Sequence, residues 1–276
     1  MNDSNGTQEI KLDYPIHPQP RHGHSQATHG QICDLLQANA ALYEERLLSF
    51  LEFKQDFLEI ERTREEGAAE TDPIWDNGFL PALDGVALYG LLAQEKPALY
   101  LEIGSGNSTK FAKHAIQKKG LDTRIVSIDP YPRAEIDELC DEVIRQPLEH
   151  VELTLFEQLQ SGDVLFFDGS HRVFMNSDVV VFFLDVLPRL PAGVWVQIHD
   201  IFLPNDYPEH WVDRFYSEQY MLAVALLFNS NQFEVVLPNH FITIHPSLAD
   251  VLNPLWQAPK LAGMPTNGVS FWLRTK

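Results

Sequence analysis

Residues 100–112 read YLEIGSGNSTKFA, and the order of residue types in this stretch decides the fold. An apolar run, predicted as a strand at 98–103, leads into a loop with Gly104 and Gly106, and a helix is predicted near 108–119. Glycine lets the backbone approach a ligand closely, and the free amides at a helix start suit a polar or anionic group. Such a loop also occurs as a plain strand-to-helix turn, so both interpretations stay open on this stretch alone.

Short β-rich runs alternate with helix-sized segments on the C-terminal side of this loop, which predicts right-handed crossovers and a parallel sheet. The run VLFF at 164–167 is apolar without alternation, as in a strand that is covered on both faces. We therefore predict an α/β fold with a doubly wound, mostly parallel, seven-stranded sheet. Its strands are predicted at 98–103, 124–129, 142–145, 163–168, 194–199, 233–237 and 270–274, with further helices near 133–140, 151–160, 174–190 and 211–229 and a loop between the last two strands.

The N-terminal third has a different character. Residues 1–30 are polar, with several prolines and histidines and no periodicity, and we predict a flexible arm there. Residues 31–66 place apolar residues at intervals of three to four, which predicts one long helix. The apolar stripe is too broad for a lone surface helix, so it either packs on the main domain or pairs with a second copy in a homo-oligomer. The predicted division is 1–30, a helical extension at 31–78, and a cofactor-binding domain at 79–276.

Composition limits the partners. The 276 residues include 20 Lys and Arg against 39 Asp and Glu, a formal net charge of −19, which disfavours a nucleic-acid substrate. The longest apolar run, 221–228, is far shorter than the roughly 20 residues that span a bilayer, and no signal peptide is visible. Cys33 and Cys140 provide neither a disulfide framework nor a CxxC metal motif. We expect a cytoplasmic protein with no membrane and no nucleic-acid partner.

The predicted strand ends are polar, and ligands of open α/β sheets bind at the carboxyl ends of the strands. Asp129 ends the second strand, where a carboxylate can accept two ribose hydroxyls; its alternative role is to cap a following helix. Asp168, His199 and Asp200 could converge on one divalent cation, and oxygen ligands favour Mg²⁺. His171 would face the same cavity, and its ordinary pKa near 6.5 suits a proton acceptor at neutral pH.

With these strand ends, the chain from about residue 79 onward resembles the class I S-adenosylmethionine-dependent methyltransferases. The E-x-G-x-G at 102–106 is similar to the first motif of that family, and Asp129 is similar to its ribose-binding acid. The closing pair of strands resembles its antiparallel hairpin. FFDGSH at 166–171 and IHDIFLPNDYP at 198–208 are similar to the subgroup of cephalosporin-hydroxylase-like proteins and macrolide-sugar O-methyltransferases.

The resemblance implies S-adenosylmethionine as the cofactor and assigns roles to individual residues. His171 is implied as the general base, and Asp168, His199 and Asp200 as ligands of a metal ion such as Mg²⁺, with a histidine at one position where the family has an acid. The implied cofactor-binding residues are Glu102, Gly104, Ser105, Gly106, Ser108, Asp129, Tyr131, Leu148, Glu149 and Asp168.

The predicted function is methyl transfer from S-adenosylmethionine to a small molecule, at a hydroxyl oxygen. Acidic residues at one rim suit a cationic cofactor, and we expect a neutral or polyol-like acceptor. Four aromatic residues could form a wall for it, although helix packing also explains some of them: Tyr207, Trp211, Tyr216 and Tyr220. The alternatives are a nicotinamide-dependent oxidoreductase, disfavoured because Thr109 stands at the third glycine position of that fingerprint, a hydroxylase, and a cofactor-binding protein without turnover.

Overall fold

The computed structural model describes residues 10–132 and 134–276. Within this part of the chain, seven strands form one sheet in the order β3-β2-β1-β4-β5-β7-β6. The first five strands along the chain run parallel to one another, and β7 lies between β5 and β6 and is antiparallel to both. The prediction of a doubly wound, mostly parallel, seven-stranded sheet is confirmed. The strands are β1 Leu99–Ile103, β2 Arg124–Ile128, β3 Glu142–Ile144, β4 Val164–Phe167, β5 Trp195–Ile198, β6 Phe233–Pro238 and β7 Phe271–Thr275.

The register of the parallel strands brings their carboxyl ends level. Ile103 pairs with Ile128 on one side and with Phe167 on the other, and Phe167 pairs in turn with Ile198. The chain runs from β1 outward to β2 and β3 and then returns to place β4 on the other side of β1. The crevice at this reversal is where an open α/β sheet binds its ligand.

The predicted long helix at 31–66 is wrong as a single element. It is divided into α1 Gly30–Gln37, α2 Ala40–Phe50 and α3 Lys54–Glu59, with a 3-10 turn at Leu51–Phe53. The breaks let each apolar face turn toward the same core, in which several residues of the predicted stripe are fully buried, whereas Leu42 is exposed. These helices pack on the chain's own domain, and pairing with a second copy stays a prediction. The buried residues include Leu36, Tyr43, Leu47, Phe50 and Phe57.

A helix at Ala82–Glu95, α4, was not predicted. Almost every residue of its sequence ALDGVALYGLLAQE is buried, so it has no polar face to produce a helical period. Its glycines allow close packing against neighbouring rings. A Cβ at Gly85 would lie 2.8 Å from the ring of Phe111, and a Cβ at Gly90 would lie 2.4 Å from the ring of Phe50. α4 therefore lies between the N-terminal helices and α5, Asn107–Lys119.

Several predicted helices are shorter than expected. The described part of the segment 133–140 contains only a 3-10 turn at Asp137–Leu139, and 151–160 contains the 3-10 stretch Leu153–Gln158. The segment before β7, which was predicted as a loop because of its prolines, holds two short helices. Proline is tolerated in the first turn of a helix, so prolines that interrupt a segment do not exclude short helices within it. The remaining helices are α6 Asp178–Val181, continued by a π-helical turn at Phe182–Val186, α7 Glu218–Asn229, α8 Asn239–Ile244 and α9 Asn253–Trp256, with 3-10 turns at Leu148–His150, Leu187–Arg189, Glu209–Arg214 and Ser230–Gln232. Searching the described helices for a segment able to cross a bilayer finds none.

The predicted flexible arm is held to the domain over its described second half. The amide of His29 donates to the carbonyl of Pro204 at 2.9 Å, and the amide of Asp206 donates to the carbonyl of His22 at 3.0 Å. The Asp206 carboxylate also accepts the amides of Arg21 and His22, at 2.6 and 2.9 Å. Residues 1–9 of the predicted arm lie outside the described residues.

Candidate active site

A cavity of about 710 Å³ opens at the carboxyl ends of the central strands. Its wall combines the loops that follow β1, β2, β4 and β5, so the four polar strand ends meet at one place. Glu102 and Asp200 are the two predicted site residues outside its wall. The predicted residues that line it are Gly104, Ser105, Gly106, Ser108, Asp129, Tyr131, Leu148, Glu149, Asp168, His171 and His199.

The loop after β1 is held by close backbone contacts. Gly104 has a φ of +79°, and a Cβ there would lie 1.8 Å from the carbonyl oxygen of Asp168. No other residue type fits this position, because the loops after β1 and β4 cross here. The next amide, that of Ser105, donates to Asp129 Oδ2 at 2.8 Å.

Asp129 holds that loop from the end of β2. Its Oδ2 accepts the Ser105 amide, and its Oδ1 accepts the Tyr131 amide at 2.8 Å. The alternative role of Asp129 as cap of a following helix is not observed, since the described part of 133–140 forms only the short 3-10 turn. The carboxylate is half-buried and lines the cavity, where its remaining lone pairs can receive hydroxyl donors.

Glu102 lies beneath the loop. Its side chain is completely buried and accepts hydrogen bonds from the hydroxyls of Tyr100, at 2.9 Å, and Thr109. Burial raises the pKa of Glu102 to about 7, against the opposing effect of hydrogen bonds from Ser108, Thr109 and Tyr100. The structure thus places Glu102 as a support that ties β1 to the start of α5, away from the cavity surface.

The ends of β4 and β5 carry a dense cluster of carboxylates and imidazoles. His171 is at its centre: Nδ1 lies 2.7 Å from Glu218 Oε1, and Nε2 lies 3.2 Å from Asp168 Oδ1 and 3.5 Å from Asp200 Oδ2. Its backbone has a φ of +63°, an uncommon conformation for a residue with a side chain. The contact with Glu218 leaves Nε2 as the ring atom directed at the two aspartates.

His199 bridges the cluster to the interior. Its Nδ1 lies 3.4 Å from Asp200 Oδ1 and 3.7 Å from Asp168 Oδ1, and its Nε2 lies 3.4 Å from Asp84 Oδ2. Asp84 is a buried residue of α4 whose carboxylate accepts the amides of Val269 and Ser270. These contacts fix the orientation of the imidazole, with Nδ1 toward Asp168 and Asp200 and Nε2 toward Asp84.

The carboxylates control the charge of both histidines. Burial by itself lowers the pKa of His171, but Glu218 and Asp168 outweigh that effect and hold it well above its ordinary value. Burial by itself also lowers the pKa of His199, but Asp168 and Asp200 outweigh that effect and raise it to about 10. Burial raises the pKa of Glu218 to about 7. The surrounding carboxylates therefore favour the protonated form of both imidazoles.

The predicted metal ligands come together only in part. Asp168, His199 and Asp200 converge, yet within residues 10–132 and 134–276 no group of three or more His, Cys, Asp or Glu side chains is arranged to hold a metal ion. The two aspartates that would coordinate the metal ion, Asp168 and Asp200, are both in contact with His171 Nε2. An imidazole with two carboxylates also suits Mn²⁺, Fe²⁺ or Zn²⁺ better than Mg²⁺, which prefers oxygen ligands.

Two members of the cluster were missed by the sequence analysis. Glu218 begins α7 and lies inside the helix predicted at 211–229, in which it was given no role. Asp84 belongs to the unpredicted α4, so its position was unknown. The only available signal was an isolated aspartate in an otherwise apolar stretch, ALDGVALYG, since a charge buried among apolar residues must be paired.

Comparison with known proteins identifies the domain. Residues 101–201, from β1 to just beyond His199 and Asp200, match a family model described as a methyltransferase domain. Together with the strand order, this match confirms the predicted resemblance of this part of the chain to the class I, S-adenosylmethionine-dependent methyltransferases. The narrower resemblance to cephalosporin-hydroxylase-like proteins and macrolide-sugar O-methyltransferases stays a prediction.

Several solved structures are similar at low identity. The SAH-bound methyltransferase PaMTH1 of Podospora anserina aligns over 88% of this chain and 96% of its own, with 18% identity and a TM-score of 0.44. An O-methyltransferase from Bacillus cereus in complex with SAH aligns over 89% and 99%, with 14% identity and a TM-score of 0.39. The O-methyltransferase TomG from Streptomyces achromogenes, in complex with SAM, aligns over 70% and 79%, with 16% identity and a TM-score of 0.34. Among curated proteins, no significant match is found.

Proposed function

We propose that the protein transfers the methyl group of S-adenosylmethionine to a hydroxyl oxygen of a small molecule, with His171 as the general base. One observation carries this proposal: the glycine loop, Asp129, Asp168 and His171 line a single cavity at the carboxyl ends of the central strands. The loop amides and Asp129 would bind the nucleoside, together with Tyr131, Leu148 and Glu149. Glu102 would act by stiffening the loop.

The charge of the cavity suits this cofactor. The sulfonium of S-adenosylmethionine is positive, and the Asp168 carboxylate is part of the cavity wall with 37% of its side chain exposed. An acidic wall attracts a cation and repels a polyanionic substrate. The methyl group is already electrophilic, so the protein must mainly orient the acceptor oxygen in line with it and take up one proton.

The proton acceptor in this proposal is His171 Nε2. Glu218 contacts Nδ1 and so retains the ring hydrogen there, which directs the Nε2 lone pair to the cavity side. The bound cofactor would supply an electrophilic methyl group and keep the electron pair of its carbon–sulfur bond on sulfur, while His171 Nε2 would take up the proton of the attacking hydroxyl. The cationic cofactor beside Asp168 disfavours the imidazolium, so its binding favours the neutral ring that the reaction needs.

We further propose Asp168, His199 and Asp200 as the residues that would hold a divalent cation. Such a cation would lower the pKa of a bound acceptor hydroxyl. It would replace the contacts that His171 Nε2 makes with the two aspartates, and Asp84 would orient His199 toward it from the other side of the ring.

For the metal site, we expect Mn²⁺ to bind the wild-type protein more tightly than Mg²⁺ does, because the donor set includes an imidazole. His199→Ala should weaken Mn²⁺ binding by at least about tenfold, whereas His114→Ala, which removes a half-buried histidine of α5 outside the cavity, should not. Titration calorimetry with each metal alone measures this. Equal Mn²⁺ affinity in His199→Ala and the wild type would remove these ligands from the proposal.

For the cofactor site, Asp129→Ala should weaken S-adenosylmethionine binding by roughly 10- to 100-fold, the cost of losing charge-assisted hydrogen bonds. Calorimetric titration of the wild type with S-adenosylmethionine and, separately, with NADH tests the cofactor class. Asp122→Ala, on an exposed loop before β2, is the matched control. Tighter binding of NADH, or an unchanged affinity in Asp129→Ala, contradicts the assignment.

A further inference from the structure

A second cavity, of about 960 Å³, lies beside the first, between the N-terminal arm and the segment that precedes α7. One of its walls is formed by residues 10–20 of the arm, which present Ile10, Leu12 and Ile16. The facing wall is formed by residues 206–220. A cavity of this size is large enough for a small organic ligand.

The wall opposite the arm is aromatic. Trp211 and Tyr216 are in ring contact at 5.6 Å between centroids, and Tyr207 contacts both of them, at 6.4 and 5.8 Å. The guanidinium of Arg214 lies 4.0 Å from the ring centroid of Trp211. The four aromatic residues singled out from the sequence therefore come together, and they all line this second cavity.

The two cavities share a boundary at the catalytic end. Arg172 lines both of them, and its guanidinium lies 5.1 Å from the ring centroid of Tyr216. Tyr216 in turn packs on His171, with 4.4 Å between ring centroids. A molecule lying against Tyr216 is thus next to the proposed base.

The arm wall is apolar and still half open. Ile10, Leu12 and Ile16 expose 54%, 57% and 52% of their surface. Apolar side chains that face a cavity gain free energy when a ligand removes their surface from water, and they offer no hydrogen bonds to a polyol.

The arm is tied at the point where the two walls meet. Asp206 binds the amides of Arg21 and His22 through one carboxylate oxygen and accepts the Tyr220 hydroxyl, at 2.9 Å, through the other. The same residue therefore joins the arm to the aromatic wall, so that the two sides of the cavity form one unit.

We infer that this second cavity binds the body of the methyl acceptor, and that the acceptor is a planar aromatic alcohol whose hydroxyl points past Tyr216 toward His171. The inference rests on the proposed function and names the substrate class of that site. It departs from the polyol-like acceptor of the sequence-based expectation, because rings and aliphatic side chains make up most of the lining, beside the charged Arg172, Asp206, Asp213 and Arg214. The arm is accordingly part of the substrate site.

The test uses the full-length protein with 2-naphthol as the aromatic probe and methyl α-glucoside as the polyol probe. Binding of each probe, and of S-adenosylmethionine, is measured by titration calorimetry on the wild type and on I10S/L12S/I16S. The matched control is L42S/L48S, since Leu42 and Leu48 on α2 are similarly exposed, at 55% and 51%, and lie outside the cavity. All substituted side chains are largely exposed, so folding should be kept.

We expect 2-naphthol to bind the wild type and methyl α-glucoside not to bind, and the arm variant to lose roughly tenfold or more in 2-naphthol affinity, as for the loss of apolar contacts in a binding pocket. Its affinity for S-adenosylmethionine should not change, and L42S/L48S should match the wild type. Binding of S-adenosylmethionine without binding of 2-naphthol, or equal 2-naphthol affinity in the arm variant, overturns the inference. Failure of the wild type to bind S-adenosylmethionine instead overturns the proposed function.

Discussion

Gly104→Ala should remove measurable cofactor binding. The added Cβ would stand 1.8 Å from the carbonyl oxygen of Asp168, so the loops after β1 and β4 must separate. That movement displaces the Ser105 amide from Asp129 and shifts both walls of the cavity. Because displacements of about 1 Å can cost about 100-fold in a positioned site, we expect at least that loss in S-adenosylmethionine affinity, measured by calorimetry.

Gly78→Ala is the control for this variant. Gly78 has the same φ of +79°, but a Cβ there would meet nothing within 4 Å. Both variants incur the left-handed backbone strain of about 1–2 kcal/mol, which thermal unfolding would report. Only Gly104→Ala adds the overlap with Asp168. Comparable cofactor affinity in the two variants would show that the close approach of the two loops does not matter for binding.

His171→Ala should lower turnover by roughly 10²- to 10⁴-fold, the usual contribution of a positioned general base. Cofactor affinity should stay near that of the wild type, because the nucleoside is assigned to the loop and to Asp129. Single-turnover kinetics with saturating cofactor separate the two quantities. His171→Asn is a useful second variant, since asparagine tolerates the left-handed backbone found at this position.

Glu218→Gln tests whether Glu218 positions His171 to act as the general base. Glutamine keeps the size of the side chain but removes the charge that holds the Nδ1 hydrogen, so we expect a smaller loss of turnover than in His171→Ala. His114→Ala again serves as a histidine control outside the cavity. Wild-type turnover in His171→Asn would exclude His171 as the base, whatever the Glu218 variant shows.

The site is built from opposing charges that compensate each other. Asp168, Asp200 and Glu218 surround His171, while Asp84 faces His199 from the interior. Removing an acid would leave a buried imidazolium without its partner, which is costly. A cationic cofactor bound in this cavity would change the balance of charge between the carboxylates and the imidazoles. We regard this change as the basis of the proposed chemistry.

Much of the fold followed from local sequence. The strand ends at Ile128, Phe167 and Ile198 are each followed by a polar residue, and the strand end at Ile103 is followed by the glycine loop. Parallel strands bring such ends to one edge. The sequence alone therefore predicts one cavity that is lined by the glycine loop, Asp129, Asp168 and His171. Helix prediction failed where periodicity carried no information, as in α4, which is buried on all sides.

The sequence by itself determined the sheet and its polar edge, because these depend on short-range patterns of residue types along the chain, and its motifs carried the resemblance that implied the class of domain. The tertiary structure alone decided that Asp84 and Glu218 complete the histidine cluster and that the arm faces Trp211 and Tyr216. These contacts join segments far apart in the chain, and no local pattern encodes which distant partner a buried charge or an exposed apolar side chain will meet.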